Sequence, residues 1–173
     1  MRVFIALDLP EEIKKEIEKI QGDLPDFKGK KTELENLHLT LKFLGEIDKE
    51  TLDNVKKRLR EINFKKFKAK LSNLGVFDEN FVKIIWIKLE NCDGLQKEID
   101  YKLEDLFEKE KRFMSHITIA RVKNIENKEK FLEELKKIKI TEKEFLVKNF
   151  KLKESILKRE RAEYKDLEVY FLK

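Results

Sequence analysis

A short pattern occurs twice in the chain and constrains its fold more than any other feature of the sequence. The only two histidines among the 173 residues lie in HLTL, residues 38–41, and in HITI, residues 116–119. Because the chain has five threonines, chance places a threonine two positions after a given histidine about 3% of the time. One motif alone suits an ordinary hydrogen-bonded histidine on a half-buried strand. Two such motifs favour a duplicated structure in which both belong to one site.

The segments that flank the motifs also repeat. Residues 3–17 match residues 85–99 position by position, and the offset between the halves falls only across predicted loops, as duplicated halves with loop deletions require. No linker rich in Pro, Gly or Ser separates the halves. We therefore predict one bilobal domain over residues 1–173, with pseudo-repeats at about 1–76 and 81–155.

Hydrophobic periodicity predicts the order strand, helix, strand, helix, strand in each half. In the first half the predicted strands are 2–8, 37–44 and 67–76, and the helices are 10–21 and 49–62. In the second half the strands are 81–90, 115–122 and 143–153, the helices are 94–109 and 127–138, and a final strand covers 164–172. The predicted fold class is α+β, with mainly antiparallel sheets of the two lobes facing a central groove.

Composition limits the partners and the compartment. An apolar fraction of 40% supports a globular core, and 40 basic against 35 acidic residues gives only a mild preference for anions. The single Cys92 excludes an intrachain disulfide and suits a reducing cytoplasm. We find no apolar run that suits a membrane span or a signal peptide. The abundance of Lys and Glu is typical of proteins from thermophiles. We expect a cytoplasmic protein that functions as a monomer.

Strand alternation assigns the side chains of the first motif to two faces. His38 and Thr40 project together, as do His116 and Thr118 in the second motif. The opposite face of the first strand is expected to enter the core and carries Leu37, Leu39, Leu41 and Phe43. Lys42 falls on the face of His38, where it is expected to be a solvated charge at the rim of the groove. An approximate two-fold axis between the halves would bring both motifs together.

Two imidazoles in one site suit acid–base chemistry at phosphorus. One neutral ring can take a proton from the nucleophile while one protonated ring supplies the leaving oxygen. The threonine hydroxyls can donate hydrogen bonds to the non-bridging phosphate oxygens, so this chemistry calls for no metal and no cofactor. From the motifs alone the donor and acceptor roles of the two histidines are interchangeable.

The segments HLTLKFLGEI, HITIAR, RVFIALDLP, FVKIIWIKL and LKESIL resemble the two-histidine (2H) phosphoesterase superfamily. They are most similar to its RNA 2',3'-cyclic phosphodiesterase branch, first described as 2'-5' RNA ligases. The resemblance implies hydrolysis of a terminal 2',3'-cyclic phosphate to a 2'-phosphate. It also implies that His38 is the proton donor, that His116 is the acceptor, and that the phosphate is bound by Thr40, Thr118 and Arg121.

Two positions depart from what the resemblance leads us to expect. Strict alternation places Arg121 opposite His116, so it reaches the phosphate only if the strand bends, and a surface ion pair is its alternative role. The residue before the second histidine is commonly proline in this family but is Ser115 here. Without a proline, the rigidity of the chain leading into the second motif is in question.

Other functions remain open at this point. A non-catalytic RNA-binding module could stack bases on aromatic residues, although these lie mostly in core-like patterns: Phe4, Phe43, Phe113 and Trp86. A metallohydrolase is disfavoured because no HExxH motif is present, and an ATP-driven ligase because no GxxxxGK[ST] loop is present. The expected partner is RNA that ends in a 2',3'-cyclic phosphate, such as a tRNA half. Ligation would be the reversal of the cleavage reaction.

Overall fold

The computed structural model describes residues 1–173, and its architecture confirms the predicted α+β class. It contains four α-helices, nine strands and one short 3-10 helix at Leu34–Asn36. The helices are α1 (Glu11–Asp23), α2 (Lys49–Arg60), α3 (Asp93–Lys102) and α4 (Lys128–Lys136). The strands are β1 (Arg2–Asp8), β2 (Lys28–Lys31), β3 (His38–Glu46), β4 (Phe67–Val76), β5 (Ile84–Glu90), β6 (His116–Asn124), β7 (Glu144–Val147), β8 (Asn149–Leu157) and β9 (Ala162–Phe171).

The strands form two antiparallel sheets, one with the order β3-β1-β8-β9 and the other with the order β2-β6-β5-β4-β7. The sequence halves are interleaved between the sheets, because β4 joins β5 and β8 joins β1. Helices cross over in the same way: α1 contacts β6, whereas α3 contacts β3. Each lobe is therefore built from both halves of the chain, and one cluster of 35 buried hydrophobic residues extends through both lobes.

Local sequence signals account for the starts of α2 and α4. Asp48 precedes α2 and its side chain accepts a hydrogen bond from the backbone N–H of Thr51 at 2.8 Å. Asn127 precedes α4 and accepts from the N–H of Lys130 at 3.1 Å. Short side chains with an oxygen acceptor are favoured at this position because they satisfy an N–H group that the helix leaves free.

Two predicted elements differ from the structure, and one strand was not predicted. The predicted strand 143–153 is two strands, β7 paired with β4 and β8 paired with β1. The predicted helix 94–109 already ends at Lys102, after which the chain continues in turns although its apolar spacing persists. Strand β2 was not predicted, because all four of its residues are exposed and carry no apolar alternation.

Both motif strands contain a β-bulge at the same position. In β3, Leu41 is an extra residue between two paired positions, and in β6 Ile119 is the equivalent extra residue. A bulge of this kind reverses the facing of the residues that follow it. The expectations for Lys42 and Phe43 are therefore wrong: Lys42 is buried, whereas the side chain of Phe43 is 66% exposed.

Candidate active site

A cavity of about 680 Å³ is lined by both sheets and contains all five residues predicted for the site. Strand β3 supplies His38 and Thr40, and β6 supplies His116, Thr118 and Arg121. These two strands belong to different sheets and lie against one another where the lobes meet. The fold therefore brings the two motifs together at one cavity.

The two imidazole rings are held in the same way. Nδ1 of His38 lies 2.7 Å from the carbonyl oxygen of Asn36, and Nδ1 of His116 lies 2.8 Å from the carbonyl oxygen of Met114. A carbonyl oxygen only accepts hydrogen bonds, so each Nδ1 must carry the proton that it donates. Nε2 is therefore the nitrogen of each ring that can gain or lose a proton in the cavity.

Aromatic side chains cover both rings. The centroid of Tyr164 lies 5.0 Å from that of His38, in an edge-on arrangement, and Phe4 lies 5.2 Å away on a tilted plane. Phe77 takes the corresponding position at His116, edge-on at 5.0 Å. Burial lowers the pKa of His38 below its ordinary value of 6.5, because a desolvated ring disfavours the charged form.

Charged residues behind the first motif also act on His38. The carboxylate of Asp8 forms ion pairs with Nζ of Lys151 at 2.6 Å and with Nζ of Lys153 at 2.8 Å. Both lysines also form ion pairs with the carboxylate of Asp166. Asp8 raises the pKa of His38, whereas Lys153 lowers it, and both effects are smaller than that of burial. The buried environment of the ring therefore determines the direction of its pKa shift.

The bulge in β6 turns Arg121 toward the cavity, so that its expected orientation opposite His116 is wrong. The carbonyl of Ile119, the extra residue, accepts a hydrogen bond from the backbone N–H of Thr32 at 2.9 Å. It also accepts one from Nε2 of Gln21 at 3.0 Å, and Gln21 donates to the carbonyl of Thr32 as well, at 2.8 Å. The bulge is thus anchored by a buried side chain of α1. Arg121 has no ion-pair partner.

Strand β2 depends on a glycine to reach this position beside β6. Gly29 has a φ of 152°, which side-chain-bearing residues rarely adopt, and a Cβ at this residue would overlap the carbonyl oxygen of Arg121. The close approach lets β2 bring Lys30 and Lys31 to the edge of the cavity.

The cavity carries an excess of positive charge that suits a phosphate ligand. Seven basic residues line it, against three acidic ones: Arg2, Lys30, Lys31, Lys42, Arg112, Arg121 and Arg161 against Glu33, Glu110 and Glu160. Two of the basic residues are neutralised locally: Lys42 lies 2.6 Å from Asp100, and Arg161 binds Glu33 at 2.8 Å and Glu35 at 2.9 Å. The excess that remains for a ligand is therefore smaller than the count alone suggests. Sequence reasoning missed Arg112 and Tyr164 as cavity residues, since neither belongs to a motif, and the position of Arg112 just before the second motif is the only signal for it.

Hydrogen bonds hold the chain that leads into the second motif, where the resemblance leads us to expect a proline. The carbonyl of Ser115 accepts from the backbone N–H of Leu89 at 3.2 Å, and the carbonyl of Met114 accepts from His116. Ser115 is buried. Backbone pairing with β5 thus orders the chain at Ser115.

No helix is long and apolar enough to cross a membrane. No group of three or more His, Cys, Asp or Glu side chains is arranged to hold a metal ion.

Comparison with known proteins identifies the family. The chain matches the family described as LigT like Phosphoesterase over residues 7–86 and 89–164. It is 41% identical over 162 residues to a protein of Methanocaldococcus jannaschii described as RNA 2',3'-cyclic phosphodiesterase, covering 91% of this chain and 92% of the relative. A protein of Archaeoglobus fulgidus with the same description is 35% identical over 178 residues, covering 98% of this chain and 99% of the relative.

Solved structures agree with this fold. A protein of Thermus thermophilus superposes with a TM-score of 0.83 at 28% identity, covering 99% of this chain and 97% of its own. Escherichia coli LigT, crystallised with 3'-AMP, has the same fold, with a TM-score of 0.80 at 24% identity and coverage of 99% and 97%. Relatives from Thermotoga maritima and Aquifex aeolicus fit the heat-adapted composition.

The chain belongs to the LigT-like phosphoesterase family. This confirms the resemblance to the two-histidine phosphoesterases, and the predicted enzyme class, a cyclic phosphodiesterase, is confirmed with it.

Proposed function

We propose that this enzyme hydrolyses the 2',3'-cyclic phosphate at the end of an RNA to a 2'-phosphomonoester. The observation that carries the proposal is that both histidines line one cavity with Nδ1 bound to a backbone carbonyl, which leaves both Nε2 atoms for proton transfer. Relatives that the chain resembles along most of its length carry the description RNA 2',3'-cyclic phosphodiesterase.

The proposed reaction is an in-line displacement at phosphorus. Nε2 of His116 takes a proton from water as the water oxygen bonds to phosphorus, and the bond from phosphorus to the 3'-oxygen breaks. Protonated His38 gives its proton to the departing 3'-oxygen, so the phosphate remains on the 2'-oxygen. Thr40, Thr118 and Arg121 bind the non-bridging oxygens, on which negative charge increases. Proton exchange with solvent returns both imidazoles to their starting states.

Donors from the chain supply the charge stabilisation in this proposal, so the reaction is expected to need no metal ion. An arginine and two hydroxyl groups can together bind both non-bridging oxygens of a phosphodiester. Only RNA has the neighbouring 2'-oxygen that closes a cyclic phosphate, which gives the site a chemical reason to accept RNA ends, including tRNA halves, and to ignore DNA.

Ligation follows from the same proposal. If the 5'-hydroxyl of a second RNA replaces water, its attack on the cyclic phosphate forms a 2'-5' linkage. The strain of the five-membered ring supplies the driving force, and no nucleotide cofactor enters the reaction.

The cytoplasm is the proposed setting. The single cysteine, Cys92, is buried, and burial raises its pKa to about 12. A chain with a single cysteine forms no intrachain disulfide, which agrees with a reducing compartment.

A product analysis tests the proposal directly. A short RNA that ends in a 2',3'-cyclic phosphate is incubated with the enzyme and excess EDTA, and the products are separated by chromatography against 2'- and 3'-phosphate standards. We expect the 2'-phosphomonoester. A 3'-phosphate would reverse the assigned roles of His38 and His116, and strict dependence on added metal would contradict the mechanism.

The alternative of a non-catalytic RNA-binding module rests on the exposed aromatic side chain of Phe43 in the cavity. It predicts that the same RNA is bound tightly and recovered unchanged. The double variant His38→Ala/His116→Ala serves as the control, because turnover by it at the wild-type rate would reveal a contaminating nuclease.

A further inference from the structure

A buried ion pair beside the cavity joins a strand from the first half of the chain to a helix from the second half. Nζ of Lys42 lies 2.6 Å from Oδ1 of Asp100 and 2.7 Å from the carbonyl oxygen of Glu108. The other carboxylate oxygen of Asp100 accepts from Nε2 of Gln96 at 2.8 Å and from the backbone N–H of Glu110 at 3.0 Å. Lys42 and Asp100 are only 3% and 6% exposed, so water does not compete for these bonds.

The pair connects the strand of the first motif to the chain that leads into the second. Lys42 lies on β3, and Asp100 lies on α3. The connector, residues 103–115, leaves α3 and runs to β6, and its residues Glu110, Arg112, Phe113 and Met114 line the cavity. Met114 provides the carbonyl that accepts the hydrogen bond from Nδ1 of His116.

Two of the bonds that the pair makes go to the backbone of the connector, at Glu108 and Glu110. Burial by itself raises the pKa of Asp100, but hydrogen bonds from Lys42, Gln96 and the N–H of Glu110 reverse this effect, so the pKa is lowered. The carboxylate is thus charged and has partners on both oxygens.

Stability alone is a poor reason for such a pair. Replacing a buried ion pair by apolar side chains of similar volume is often neutral or stabilising, because the ions no longer have to be desolvated. What an apolar pair cannot supply is a donor for the carbonyl of Glu108 and an acceptor for the N–H of Glu110. Those two bonds fix where the connector passes between the lobes.

We propose that Lys42 and Asp100 are positioning residues, which hold the connector so that Met114 orients the imidazole of His116 and Arg112 faces the cavity. The proposal rests on the proposed function for its kinetic consequence, although its structural consequence can be measured without substrate. Neither residue touches the reacting atoms, so their effect on the reaction passes through His116.

The variant Lys42→Met/Asp100→Leu separates positioning from stability. It removes both charges together and leaves no unpaired buried ion, so the melting temperature should fall less than in the single variant Lys42→Met, although the carbonyl of Glu108 and the N–H of Glu110 lose their partners. The connector loses both anchors, and kcat on the cyclic phosphate should fall about tenfold or more, since small displacements of a catalytic group can cost that much. Val55→Ala is the matched control: Val55 is buried in α2 away from the cavity, and this variant should lose stability but keep its kcat at temperatures where it is folded.

Nitrogen-15 NMR of the imidazoles gives a readout that does not depend on turnover. With only two histidines in the chain, the variant His38→Ala assigns the remaining ring to His116. The wild type should show His116 protonated at Nδ1 when neutral, whereas the double variant should show a mixture of tautomers. An unchanged spectrum together with wild-type kcat would overturn the proposal. If the wild type has no turnover, the proposed function fails, while the NMR comparison still tests the positioning role.

The variant Asp100→Asn tests the positioning role if the double variant does not fold. An amide offers one acceptor oxygen where the carboxylate offers two, so either Lys42 or the N–H of Glu110 loses its partner. We expect a lowered kcat and an altered His116 spectrum. Wild-type values for both would contradict the proposal.

Discussion

The hydroxyl oxygen of Thr40 lies 3.0 Å from Nε2 of His38, the nitrogen that the proposed reaction uses. No such bond joins Thr118 to His116, although the two motifs otherwise share their bulges and their contacts at Nδ1. The two halves of the site are thus alike in backbone and differ in this side-chain contact. Thr40 has a second role available to it, since it can orient the ring of His38 as well as bind phosphate.

Replacing the two threonines should therefore give unequal effects. Each of Thr40→Val and Thr118→Val removes a donor to a charged oxygen, which lowers kcat roughly 10- to 100-fold. The loss should be larger for Thr40→Val, because this variant also frees the ring of His38. Steady-state kinetics on an RNA cyclic phosphate measures both values, with Thr141→Val at an exposed position as the control. An equal or larger loss for Thr118→Val would count against the second role of Thr40.

The two histidines should behave as one unit. General acid or base catalysis contributes roughly 10²- to 10⁴-fold, so His38→Ala and His116→Ala should each lose most of the activity. Because either change disables the same proton transfer, the double variant should lose little more than each single variant. Single-turnover rates give the comparison, with circular dichroism as the check on folding. A folded single variant with near-normal turnover would show that the motifs do not form one site.

The pattern of the sequence predicted the elements whose apolar residues repeat regularly. Strands β1 and β4 have the predicted bounds. Helix α2 begins at the predicted residue, directly after its N-cap Asp48. The interleaving of the sequence halves between the two sheets could not be predicted from this periodicity. Alternation shows that β4 and β8 are strands, but it does not reveal which sheet either of them joins, because that depends on packing between residues distant in sequence.

Residues of the site were predicted where the motif alone determines the face, and not beyond the bulges. His38 and Thr40 precede the extra residue Leu41, so simple alternation holds for them. Lys42 and Phe43 follow it, and their predicted positions are reversed in the structure. A bulge depends on the partner strand and on hydrogen bonds from other parts of the chain, so the periodicity of the strand itself does not predict it.

The pH dependence should show the lowered pKa of His38. In the proposed reaction this ring must be protonated in the free enzyme before substrate binds, and burial lowers its pKa below the ordinary 6.5. As the pH rises, the protonated fraction of His38 therefore starts to fall at a lower pH than that of a solvated imidazole. The decline of kcat/KM with rising pH should accordingly begin below pH 6.5. Bound phosphate carries negative charge and favours the imidazolium, so the alkaline limb of kcat should lie at higher pH than that of kcat/KM.

Tyr164→Ala gives the control for the cause of this shift. The substitution opens one side of the His38 ring to water, which should raise the pKa and move the alkaline limb of kcat/KM to higher pH. Phe77→Ala opens the ring of His116 instead and should leave the limb of His38 in place. The measurement is the pH dependence of kcat/KM, recorded for both variants and for the wild type. If the alkaline limb of kcat/KM is unchanged in Tyr164→Ala, burial of His38 beneath the ring of Tyr164 is not what lowers the pKa of His38.

Gln21 is expected to stabilise the bulge that turns Arg121 into the cavity. Gln21→Met keeps the length of the side chain but leaves the carbonyl of Thr32 without this donor and the carbonyl of Ile119 with only one. A buried acceptor that loses its partner costs about 1–3 kcal/mol, which urea unfolding should show as a lower free energy of unfolding. Because the bulge sets the direction of the arginine, KM for the cyclic phosphate should rise as well. Glu18→Ala, at an exposed position of the same helix, should change neither value. A Gln21→Met variant with wild-type stability and KM would show that backbone pairing with β2 is enough to hold the bulge.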